Sequence, residues 1–187
     1  MMKKIILLLA MITVTSCAKD EEAQTPDSIN QRLAVELTRL GFEGGIMPPL
    51  PPVFGPYEAT VVVDKEVYIT ASAPFTPEGT WMKGLVTNDS ELADIVYAAE
   101  LSAIQAINRI TLAADGDLNN VAKLRHVNVM TTAPADYPHT DVLANVTSDL
   151  LIRVFGEEVG SHTRSIIRST SLPINMTHET EIRAVLK

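Results

Sequence analysis

The chain of 187 residues has one cysteine, Cys17, so no internal disulfide can form and a packed core must hold the fold. It has no Gly-x-Ser-x-Gly elbow, no serine tied by spacing to a His and an Asp, and no phosphate-cradling Gly-rich loop. Those absences argue against a serine hydrolase and a nucleotide-binding module. The four histidines, His126, His139, His162 and His178, show neither i, i+4 pairing nor a Cys partner, so neither a metal nor a cofactor is expected. Asp115-Gly-Asp117-Leu-Asn119 begins like a calcium loop. However, Asn120 stands where the loop needs glycine and His126 where it needs a bidentate Glu, which leaves a helix-ending turn. Basic residues are also short, with 15 Lys and Arg against 23 Asp and Glu and a formal charge of −8. An acidic chain repels phosphate backbones, so nucleic acid is not expected as a partner.

Hydrophobic residues make up 46% of the chain, in keeping with a globular protein. Lys3 and Lys4 precede an apolar run from Ile5 to Ile12 that is too short to span a bilayer, the pattern of a secretion signal. The run closes on Val14-Thr15-Ser16-Cys17, which resembles a bacterial lipobox. Residues 1–16 are therefore expected to be a lipoprotein signal peptide, with Cys17 the lipidated anchor of the mature chain. Residues 17–27, with Ala-Lys-Asp-Glu-Glu after the cysteine, read as a polar tether, and the folded domain is expected over 28–187. The expected location is the bacterial cell envelope, lipid-anchored at the outer membrane and either periplasmic or surface-exposed.

Ser28 can cap a helix carrying Ile29, Leu33, Val35, Leu37 and Leu40, stopped by Gly41. The Pro-rich segment after Gly44-Gly45 is an extended connection leading to Gly55-Pro56-Tyr57. Residues 58–63 and 67–71 read as a hairpin. A helix over 91–114 follows, capped by Asp89 or Ser90, and then a strand over 121–130. A second helix carries Val142, Leu143, Val146, Leu150, Leu151 and Val154 and ends at Gly156. Two strands joined across Leu172-Pro173 close the chain, and as a pair they can aim Arg164 and Glu179 at one site or form an ordinary surface pair. The element order predicts an α+β sandwich, a mostly antiparallel sheet with two helices on one face, whose open face finds cover by oligomerising.

Gly55-Pro56-Tyr57, Asp117-Leu118-Asn119-Asn120-Val121, and Arg164-Ser165 ahead of Leu172-Pro173 and Glu179-Thr180-Glu181 resemble the Rid family, also called YjgF or L-PSP-like. The resemblance runs from about Ile29 to Val185 and is nearest the branch with an added N-terminal helix. It implies a chorismate-mutase-like fold that forms a homotrimer around an inner β-barrel, with ligand clefts between subunits. It also implies hydrolysis of enamine and imine intermediates to 2-oxo acids and ammonia. Arg164 then grips the substrate carboxylate, Glu179 positions the attacking water, and Tyr57 lines the pocket. Thr70-Ala71-Ser72 replaces the family's Ser-Gly-Gln, and Ile166 replaces its cysteine. The family's ligand-binding asparagine falls on Asn145 or Ser148. The alternative implied by these departures is a non-catalytic trimeric lipoprotein that binds a small carboxylate or scaffolds an envelope complex.

Overall fold

A computed structural model describes residues 28–187. The expected signal peptide, the expected lipidation site Cys17 and the expected tether lie outside the described residues.

Helix α1 (Ile29–Arg39) starts at Ser28, whose hydroxyl accepts from the Gln31 amide while the Gln31 side chain returns to the Ser28 amide. Its Ile29, Leu33 and Leu37 face the core. The chain then forms β1 (Thr60–Val63), β2 (Glu66–Ile69), α2 (Leu92–Ala113), β3 (Val121–Thr132), α3 (Thr140–Gly160), β4 (Thr163–Ser169) and β5 (His178–Leu186). The five strands make one sheet in the order β1-β2-β5-β3-β4, antiparallel except where β4 runs parallel to β3. The expected mostly antiparallel sheet with two helices on one face is borne out, and α1 adds a third helix packed on α3.

Local chemistry shifts several boundaries. α2 begins at Glu91 rather than with a side-chain cap, because the Ser90 hydroxyl turns back to accept from the Thr87 amide. Gly156 interrupts α3 at φ 77°, as expected of a C-terminal glycine, and one more turn continues to Gly160. Residues 173–175 form a tight turn with Ile174 and Asn175 in left-handed conformation, so β5 starts only at His178.

The main correction concerns the last two strands. β4 and β5 do not pair with each other, since β3 lies between them. After Leu172-Pro173 the chain crosses β3 instead of folding a hairpin. Register partners share a sheet face. Arg164 pairs with Val127, a buried residue on the helix side, whereas Glu179 pairs with Met130 on the opposite face. Within one protomer the two are two strand spacings apart across the sheet and three residues apart along it, about 14 Å in all, and point to different sides.

The core lies between the sheet and α2 and α3, with Ile104, Ile107, Leu124, Val127, Leu150, Leu151 and Ile182 fully enclosed. α1 is tied to both other helices by a four-membered ionic cluster. Glu36 accepts from Arg39 at 2.8 Å and Arg153 at 2.9 Å, and Glu100 accepts from Arg39 at 2.5 Å and Arg153 at 3.1 Å. Burial alone would raise the Glu36 carboxyl, but hydrogen bonds and charge from Arg153 and Arg39 outweigh it and hold the carboxyl below its ordinary value. The other sheet face carries Val61, Val63, Tyr68 and Ile167, all exposed, between Glu66, Arg125, Asn128, Glu181 and Arg183.

Candidate functional site

The expected site residues fall into two groups. The first forms where the β2–β5 ladder lapses. Pairing runs from Glu66↔Val185 to Tyr68↔Arg183, stops, and is taken up again at Ser72↔Thr180. Thr70, Ala71 and Glu179 flank this gap, and together with Tyr57, Phe54, Trp81 and Arg109 they line a cleft of about 160 Å³. A cavity of about 150 Å³ accommodates a molecule the size of benzene, so the cleft suits a small organic ligand. The Pro-rich arm closes one side as the sequence suggests. The Asn108 amide donates to the Pro48 carbonyl at 2.7 Å, and Phe54 packs on Trp81 with ring centroids 5.9 Å apart.

Glu179 is half-buried, and burial pushes its carboxyl above the ordinary value. Among the described residues it has neither a hydrogen-bond partner nor an ion-pair partner. The surface-pair reading belongs to its neighbour: Glu181 accepts from Asn128 at 3.1 Å and lies 3.8 Å from Arg183. A carboxylate left free at the wall of a cleft, with raised proton affinity, can hold a water and take a proton from it.

The second group sits on the helix side of the β4 edge. Arg164 donates to Asn145 Oδ1 at 2.7 Å and to Ser148 Oγ at 3.2 Å. Asn145 and Ser148 are one helical turn apart on α3, and both reach the same guanidinium, which accounts for the ambiguity between them in the sequence. Ser148 Oγ is also 3.0 Å from His162 Nε2, and His162 Nδ1 lies 2.6 Å from the Gly160 carbonyl. The carbonyl can only accept, so Nδ1 carries the proton and Nε2 accepts from the serine. Burial lowers the proton affinity of His162, with the Arg164 charge adding to it, in keeping with a neutral ring. The arrangement presents Arg164 as a braced, exposed fork able to take both oxygens of a carboxylate. Ile166, at the family's cysteine position, packs against the core. The two groups do not meet inside one protomer.

Two participants escaped sequence reasoning. His162 was weighed only as a metal ligand, and the i, i+14 separation from Ser148 carries no local signal. The signal that marks Arg109 in the sequence is its being the single charge between Leu101 and Ala114. Among the described residues no cluster of His, Cys, Asp or Glu is arranged to hold a metal.

No protein-family model matches the chain. Protein TCP17 of Trypanosoma cruzi is 29% identical over 153 residues, covering 80% of this chain and 91% of that protein. Among solved structures, the Agrobacterium tumefaciens protein Atu1372, of unknown function, superposes with a TM-score of 0.72 at 24% identity, covering 85% of this chain and 96% of that one. YjgF of E. coli superposes at 0.50 with 20% identity, covering 73% and 93%. The class these similarities define is the chorismate-mutase-like α+β fold of the YjgF proteins. The fold that the resemblance implies is borne out at that level.

Proposed function

We propose that the protein is a Rid-type hydrolase of small enamines or imines bearing a carboxylate, yielding a 2-oxo acid and ammonia. The observation that carries this reading is the unpartnered, half-buried Glu179 in the cleft with Tyr57, Thr70 and Ala71. In this reading Glu179 takes a proton from water as the water oxygen adds to the C=N carbon and passes it to the nitrogen, and it relays the carbinolamine hydroxyl proton to the same nitrogen in the next step. The resulting carbinolamine then collapses to C=O as the nitrogen leaves as ammonia. Arg164 holds the substrate carboxylate through its fork.

Because Arg164 and Glu179 face different sides of one sheet, the reading requires a neighbouring subunit. A homotrimer closed head to tail through the open sheet face would bring the β4 edge of one copy to the β2–β5 gap of the next. Cys17, lipidated, would hold this assembly at the envelope, with the outer membrane as the expected site and either the periplasmic or the outer surface exposed. No nucleic-acid partner is proposed.

The test is ammonia release from a 2-imino acid generated in situ, using protein that begins after Cys17. Acceleration by the wild type, at least tenfold loss in Glu179→Gln and Arg164→Ala, and a light-scattering mass of three chains are expected. Unchanged rates in both variants refute the assignment. Ala71 favours a second reading, a binding protein without turnover, because it adds a methyl group to the cleft wall. Carboxylate binding with no ammonia release under any imine would establish it.

A further inference from the structure

Arg109 projects from α2 and is 6% exposed. Its Nε donates to Ser72 Oγ at 3.1 Å. Ser72 is itself 1% exposed and held on three sides: its hydroxyl donates to the Thr70 carbonyl, its carbonyl accepts from Ser102 Oγ at 2.7 Å, and its backbone pairs with Thr180. The guanidinium is thus anchored through one nitrogen. Among the described residues its two terminal nitrogens have no hydrogen-bond partner, and no carboxylate forms an ion pair with it. Arg109 lines the same cleft as Tyr57, Thr70 and Glu179.

A guanidinium keeps its charge in a protein, and burying one without a counter-ion costs several kcal/mol. Desolvation indeed lowers the proton affinity of Arg109, and only the nearby Tyr57 acts against it. Glu179 lines the same cleft, but among the described residues no ion pair or hydrogen bond joins it to Arg109. A carboxylate entering the cleft would meet two free, coplanar donor groups and offset the buried charge.

We propose that Arg109 is an anion-binding residue of this cleft, and that the ligand carries a second carboxylate in addition to the one assigned to Arg164. The ligand class is then a small dicarboxylate. Resting on the hydrolase reading above, the substrate is a 2-imino acid with a further carboxylate on its side chain.

Titration calorimetry with 2-oxoglutarate and 2-oxopentanoate, which share a five-carbon chain and differ in the terminal carboxylate, tests the proposal. The wild type is expected to bind the dicarboxylate at least about tenfold more tightly, as a charge-assisted pair predicts. Arg109→Met is expected to lose that preference, and Arg109→Lys, which keeps the charge but not the fork, to keep part of it. Arg109→Met is further expected to melt no lower than wild type, since it removes an uncompensated buried charge. Absence of the preference in wild type, or its survival in Arg109→Met, overturns the proposal. Binding of glutarate that depends on Arg109, without ammonia release from any imine, removes the hydrolase reading and supports the subsite. Hydrolysis of monocarboxylic imines with no Arg109-dependent preference does the reverse.

Discussion

His178 is fully enclosed, and among the described residues neither ring nitrogen has a hydrogen-bond partner. Burial pushes its pKa from 6.5 down to about 4. The unfolded chain therefore binds a proton on this ring between those values while the folded chain does not, and stability falls as pH drops through that window. At 1.36 kcal/mol per pKa unit the full penalty is about 3 kcal/mol, and at pH 5 about 2 kcal/mol has been lost relative to pH 7. His178→Leu replaces the ring with an apolar side chain of similar size and abolishes this contribution. Lys83, Glu91 and Asp94, which line the adjoining cleft, and Glu179 beside it remain in both proteins, so their own titrations cancel in the comparison. The assay is urea unfolding followed by the fluorescence of Trp81, the single tryptophan, at pH 7 and pH 5 and fixed protein concentration. The variant is expected to be at least as stable at pH 7, because it removes two unsatisfied polar atoms, and to lose about 2 kcal/mol less than wild type on going to pH 5. Equal losses in the two proteins would refute the reasoning.

Two further substitutions probe the scaffold. Glu36→Gln removes one carboxylate from the cluster joining α1 to α2 and α3, and should destabilise by about 1–3 kcal/mol. This lies below the usual loss for a buried pair, because the Arg39 and Arg153 side chains are 44% and 43% exposed. Calorimetry should show Tm lowered by several degrees, and a Tm unchanged within about a degree would contradict the coupling. At Gly45, φ is +64° and an added Cβ would lie 2.6 Å from the Ala34 carbonyl oxygen, whereas at Gly44, with φ +66°, it would meet only the Ile46 side chain at 3.5 Å. Both alanine variants carry the left-handed penalty of about 1 kcal/mol, and Gly45→Ala should lose at least about 1 kcal/mol more in denaturant melts. Equal losses would exclude the steric contact.

The elements themselves were legible in the sequence because local chemistry specifies them. The Ser28 cap, the apolar stripes of α2 and α3, the β-branched run of β1 and the break at Gly156 each act over a few residues. The fold followed from their order. The α2 cap was misplaced because Ser90 has two competing backbone targets, and only the fold of the preceding turn selects between them.

The resemblance to the Rid family, read from the sequence, also singled out Glu179, Arg164, Tyr57 and Asn145. It did not determine which of them share a cleft. Strand order is decided by long-range pairing, and inserting β3 between β4 and β5 sends Arg164 and Glu179 to opposite faces, although only fifteen positions separate them in the chain. The same long-range packing brings α2 under the β2–β5 gap and so places Arg109 beside Ser72, two residues without any shared local pattern. Propensity and periodicity act through neighbours in sequence, whereas a buried charge finds its partner, or lacks one, only when distant segments close around it.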